Sequence, residues 1–241
     1  MKRACLVVLI GWLVPAPAFA SPCIVGSLAS YVALGGGGCN IGTAQFFNFL
    51  DLPLQGGAFA IPDTNLLVNP VDGGNPGFRF EVNSQAGAGD IFERVIGYSL
   101  SGPGFLGSQL ALTGSNVTLD GAVTALEKGC LGAAFGLGQF CSGIDAPLSA
   151  FDLGPFGQQL NDSMIFAPAT LLGAIVDITV DGGTVGAASL TSATTRFTAA
   201  PVSTPVPEPA TLTLLALGLV AGIGRQRRRV RKPIDAASDV T

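Results

Sequence analysis

Histidine is absent from all 241 residues, and charge is scarce, at 12% of the chain. Without imidazole the protein lacks the usual general base near neutral pH, the usual zinc ligand and any Ser-His-Asp or Cys-His relay. No G-x-S-x-G elbow is present either. Tryptophan occurs once, as Trp12, inside an N-terminal stretch with the pattern of a removable leader. A sugar site built on exposed indole is therefore excluded, and among the other aromatics Tyr31 and Tyr98 stand beside phenylalanines that are expected in the core.

Basic residues are few between the ends of the chain. Residues 21–209 hold four (Arg79, Arg94, Lys128, Arg196) against fourteen acidic residues, a net charge of −10. Such a surface repels phosphate backbones, so no nucleic-acid partner is expected. Carboxylate chemistry is what remains for catalysis, and Asp90 with Glu93, or Glu81 with Asp120, are the pairs a glycosidase would need. Scattered acids on a β surface produce such pairs by chance, and the chain is read as having no catalytic residues.

What is present begins with addresses. Met1 to Ala20 carries Lys2 and Arg3, an apolar run from Ala4 to Val14, and Ala18-Phe19-Ala20. This is the pattern of a signal peptide cut by signal peptidase, with a mature start at Ser21. Pro22 before Cys23 argues against a lipid-modified cysteine. Cys5 leaves with the leader, and the four remaining thiols (Cys23, Cys39, Cys130, Cys141) suit disulfides in an exported chain. Three pairings are open; the most local joins Cys23 to Cys39 and Cys130 to Cys141. Close CxxC pairs, which a zinc site would want, are missing.

Residues 21–200 read as one all-β ectodomain, an antiparallel β-sandwich or jelly roll. Glycine and proline cluster at 35–38, 71–77, 101–104 and 180–183, where strands should stop. Between them apolar residues alternate: Phe78, Phe80 and Val82; Val117 and Leu119; Val176, Ile178 and Val180. The segment "GAVTALEKG" at 121–129 is the one place before residue 210 where a short helix is expected. The glycine runs "GGGGCNIG" and "GLGQFC" lack the residues of a phosphate loop or a dinucleotide fingerprint and are read as turns. Asp72 with Asn75, and Asp177 with Asp181, are hard oxygen donors beside glycines and so weak calcium candidates; Asp-Gly turn chemistry is the preferred reading. No cofactor or metal is expected.

The composition changes at Ala200. Residues 201–209 form a proline-rich linker, and 210–224 are fifteen residues without a charge, about 22 Å of helix. That segment is read as a short single transmembrane helix, and 225–241 as a basic cytoplasmic tail in which Arg225, Arg227, Arg228 and Arg229 fix the topology.

Pro207-Glu208-Pro209, the apolar segment and the arginine cluster together resemble the C-terminal sorting region of PEP-CTERM proteins. The resemblance covers about a tenth of the chain. It implies export through the inner membrane, transient anchoring, and processing by an exosortase, a membrane-embedded cysteine peptidase, followed by release or transfer to the cell surface. Members commonly stop soon after the arginines, whereas here "VRKPIDAASDVT" comes after them. The ectodomain is also similar to glycine-rich β proteins bearing this tag, which implies pairing of Cys130 with Cys141 and no known activity. The expected function is that of a structural or interaction protein of the cell surface or matrix. The alternatives are an exopolysaccharide-binding β-sandwich and a permanently anchored single-pass membrane protein.

Overall fold

The computed structural model describes residues 20–54, 57–135 and 140–201. The leader up to Phe19, the motif Pro207-Glu208-Pro209, the apolar segment 210–224 and the tail 225–241 with its arginines lie outside the described residues. The chain divides into two units after Ala200, and the first of them is the β domain. Among the described residues no helix is long and apolar enough to cross a membrane.

Among the described residues thirteen strands join in one almost wholly antiparallel hydrogen-bonded network. They are β1 Gly26–Ser27, β2 Cys39–Ile41, β3 Ala44–Leu52, β4 Phe59–Ala60, β5 Leu67–Val71, β6 Gly77–Ala86 and β7 Ile91–Thr113. After these come β8 Asn116–Thr118, β9 Ala122–Leu131, β10 Ile144–Asp152, β11 Gln158–Gln159, β12 Asn161–Asp181 and β13 Ala187–Ala199. Among the described residues a single short α-helix, α1 Leu28–Val32, is started by Ser27, whose Oγ accepts the Ser30 N–H at 3.2 Å.

Two strands are far longer than the alternation of short apolar runs suggests. β7 has 23 residues and β12 has 21, and they pair with each other from Ile91–Asp181 to Ala111–Asn161. Each serves two layers. The first half of β7 pairs with β3 and its second half with β13, while only the C-terminal half of β12 pairs with β9. Gly102-Pro103-Gly104 in β7 and Pro168 in β12 sit where the ladder register slips between Ile165 and Leu171. Proline removes a ladder donor and glycine relaxes φ, so the ribbon bends there without ending. One layer is β3-β7-β12-β9-β10-β11 and the other is β12-β7-β13-β6-β5-β1.

The layers face each other as a β-sandwich. Tyr98, on the first half of β7, packs its ring against Phe46, Phe49 and Phe78, with centroids 6.1, 5.7 and 5.7 Å away, and against Phe197 of β13 at 6.3 Å. Its hydroxyl lies 2.7 Å from Thr195 Oγ1, satisfying both buried groups across the sandwich. Phe46, Phe49, Phe78, Phe80, Phe105 and Phe197 are fully buried, as expected for the core. Phe59, Phe140 and Phe156 are exposed.

Residues 121–129 correct the helical expectation. All but Gly121 belong to β9, which is bonded on one side to β12 and on the other to β10. Val123, Ala125 and Glu127 face inward while Leu126 and Lys128 face outward. Two full ladders outweigh the modest helix propensity of Ala, Leu, Glu and Lys. Leu119 also departs from expectation: at φ 54° and exposed, it leaves the strand after Thr118. The chain turns there because the Asp120 carboxylate accepts the N–H groups of Thr184 and Val185, at 2.8 and 3.1 Å.

Both local disulfides are formed. Cys23–Cys39 ties the N-terminal segment to β2, and Cys130–Cys141 closes a loop between β9 and β10. Phe135, carried on that loop, lies over Gly173 of β12, where a Cβ would come within 2.8 Å of its ring.

Candidate functional site

The outer face of the first layer is hollowed into a groove. Alternation along the strands turns Val95, Gly97 and Ser99 of β7 outward beside Ile175 and Asp177 of β12. Leu126 and Lys128 of β9, then Pro147 and Ser149 of β10, continue the same face. One cavity of about 540 Å³ lies among Pro53, Val95, Leu126, Pro147 and Asp177. A second of about 650 Å³ lies among Asn48, Leu50, Gly97, Ser99 and Phe135. Pro53 and Ile175 line both, so the two adjoin.

Local backbone explains the shape. Between Phe47 and Leu50 the β3–β7 register slips around Asn48, whose φ is 52°, and this bulge swings Asn48 to the groove wall. Gly97 keeps the floor low, since a Cβ there would sit 3.3 Å from Leu52 Cδ1. Ser99 is 4% exposed and lines the second cavity.

One end of the groove is acidic. Asp177 is half-buried, and desolvation, then the nearby Glu93 charge, raises its pKa. Asp162 accepts the Ser149 N–H at 3.0 Å. Lys128 Nζ is 3.9 Å from Asp145 Oδ1 and 5.8 Å from the centre of the Phe135 ring.

The weak calcium candidates fall at turns and on the groove. Asp72 Oδ1 accepts the Gly73 N–H and Asp181 Oδ1 the Gly183 N–H, both at 2.7 Å. These carboxylates are therefore engaged in turns, and among the described residues no three His, Cys, Asp or Glu side chains converge as a metal site. Asp177 is the calcium candidate that reaches the groove, while Asn75 lies in the turn between β5 and β6. Of the carboxylate pairs, Glu81 is held by Arg79 at 2.6 Å and Asp120 by the 184–185 turn. Ser99, Leu126, Lys128, Asp145 and Asp162 are groove residues that sequence reasoning does not single out. The signal for Leu126 and Lys128 is alternation in 121–129, which shows only when that segment is taken as a strand.

No curated protein matches the chain. A solved structure, the enzymatically active domain of bacteriophage CBA120 tailspike protein 4, is 11% identical over 66% of this chain and 20% of that one, with a TM-score of 0.23, and carries no argument about fold or activity. Beyond the β domain, a family profile for the PEP-CTERM protein-sorting motif matches residues 205–229, which include Pro207-Glu208-Pro209 and Arg225 to Arg229, and the chain is thus one that carries a PEP-CTERM sorting domain.

Proposed function

We propose that this protein is exported, cut by an exosortase near Pro207-Glu208-Pro209, and delivered to the cell surface or extracellular matrix, where its β domain works by interaction and without catalysis. The sorting motif at 205–229 carries the reading. Two disulfides suit an oxidising destination. Absence of histidine, together with acids engaged in turns and ion pairs, favours an interaction role over hydrolysis. Signal peptidase would act first, and the apolar segment 210–224 would hold the chain in the membrane until cleavage.

A second reading, binding of exopolysaccharide, is favoured by the outer-face groove with its apolar floor and polar rim. Intact mass and cell fraction of the protein from its host, before and after reduction with alkylation, test the main reading. The expected species begins at Ser21, ends near Pro207 and shows four alkylatable thiols only after reduction. A full-length C-terminus retained in the inner membrane would make the protein permanently anchored and overturn the sorting mechanism.

A further inference from the structure

Resting on the polysaccharide-binding reading, we propose that the outer-face groove is a binding site for a sugar polymer bearing free amines, a hexosamine chain without N-acetyl groups. Three observations converge on it. The floor is aliphatic: Val95, Leu126, Ile175, Pro53 and Pro147 offer C–H surface of the kind that covers the apolar face of a pyranose ring. Because the two cavities share Pro53 and Ile175, the groove accommodates a run of linked rings better than a single one.

The second observation is Ser99. It is a hydroxyl-bearing residue, 4% exposed, on the wall of the second cavity. Its position on the cavity wall gives it a use, as donor or acceptor to a sugar hydroxyl.

Charge complementarity names the occupant. Asp145, Asp162 and Asp177 line the first cavity against one cation, Lys128, which is already drawn to Asp145. Asp177 is only partly reached by water and stands near Glu93, so a cation brought beside it relieves an unfavourable field. Uronate and sulfated polymers meet repulsion from this end and from the −10 surface. A neutral glycan gains hydrogen bonds but no such relief. A peptide strand adding to the β10 edge is opposed by Pro147, which offers no N–H, and by Asp162, which already occupies the Ser149 N–H.

Titration calorimetry on the protein recovered from its host, at about pH 6 and low salt, tests this with four hexamers: glucosamine, N-acetylglucosamine, glucose and galacturonate. The glucosamine hexamer should bind, and the other three at least tenfold more weakly. Asp177→Asn should weaken binding by at least tenfold. Ser99→Ala should weaken it severalfold while the thermal midpoint holds or rises, which a purely structural serine would not show. Equal or tighter binding of the neutral, acetylated or acidic hexamers would overturn the amine selectivity and leave the polysaccharide reading standing. Failure of all four would overturn both. Glucosamine binding indifferent to both substitutions would show diffuse attraction to an acidic surface and overturn the groove as the site.

Discussion

Glu127 is a carboxyl group in the wrong solvent. It points inward from β9 at 2% exposure, accepts the Ser108 hydroxyl at 2.5 Å on Oε1, and has no partner for Oε2 among the described residues. Desolvation pushes its pKa up to about 7 from an ordinary 4.5, although the Ser108 bond opposes the rise. The folded protein thus holds a proton that the unfolded chain has released between those values. The contribution is fully present below about pH 4.5 and is lost as pH rises through about 7, roughly 3 kcal/mol in all. Thermal melts from pH 5 to 8.5 should show stability falling with pH, and Glu127→Gln, which keeps the acceptor for Ser108, should flatten that dependence. Arg94 poses the opposite problem, a buried cation. Its guanidinium bonds Ile61 O at 3.0 Å, Asp51 at 2.6 Å and Asp63 at 2.7 Å, joining β7 to β3 and to the 61–65 segment. Both acids are about half solvated or more, so losing the arginine leaves them in tolerable surroundings. Losing the acids strands a buried charge. Urea unfolding should therefore find Arg94→Met costing about 1–2 kcal/mol and the double change Asp51→Asn with Asp63→Asn costing more, about 3 kcal/mol.

At the scale of elements, β10 shows how the sandwich protects an open edge. It pairs with β9 along its length but with β11 only at Phe151 and Asp152. The remaining edge is covered group by group: Pro147 lacks an N–H, Asp162 takes the Ser149 N–H, and Gln159 Nε2 donates to the Ser149 carbonyl at 3.1 Å. Pro147→Val restores a free donor in a β-favouring residue, and light scattering at rising concentration should detect more self-association than in the parent protein. The neighbouring loop depends on its bridge in the same way. Replacing Cys130 and Cys141 by alanine frees an 11-residue separation, an expected loss of roughly 3 kcal/mol by loop entropy, and limited proteolysis should then cut between 131 and 143. These elements differ in how well they can be read in advance. The strand at 174–180 is legible because Val176, Ile178 and Val180 alternate with Asp177 and Thr179. β9 is not, because its inward set includes Glu127, and a buried acid breaks the apolar period on which such reading rests. The span of β7 and β12 is hidden by Gly102-Pro103-Gly104 and Pro168, which signal ends locally but serve as bends once pairing continues past them. The groove draws Pro53, Val95, Leu126, Pro147 and Asp177 from five places in the chain, and only register brings them together.

For the whole molecule, the question is how a folded domain and a membrane-proximal protease share one chain. β13 ends at Ala199, and the Ala200 N–H is still bonded to Gly104 O at 2.8 Å, so the domain holds its chain up to that residue. Six residues lie between Ala200 and Pro207, so the seven steps reach at most about 25 Å when extended. Pro201, Pro205, Pro207 and Pro209 give that stretch the composition of an extended linker. On the proposed function the protease must reach the motif while the apolar segment beyond it and the arginines after Gly224 would supply retention and sidedness. Recognition and retention are separable on this view, and substitution can part them. Glu208→Ala removes the charge in the tripeptide without touching either the leader or the apolar segment. Export should proceed, the two disulfides should form, and the uncut chain should accumulate in the inner-membrane fraction with its C-terminus intact. Deleting 203–206, about 14 Å of extended reach, should slow the same cleavage with Glu208 still in place, because the sandwich then crowds the protease. Pulse-chase with mass readout distinguishes the two: the first change should abolish the processed species, and the second should delay it. Normal maturation of Glu208→Ala would mean that the protease reads the apolar segment or the arginines instead of the tripeptide.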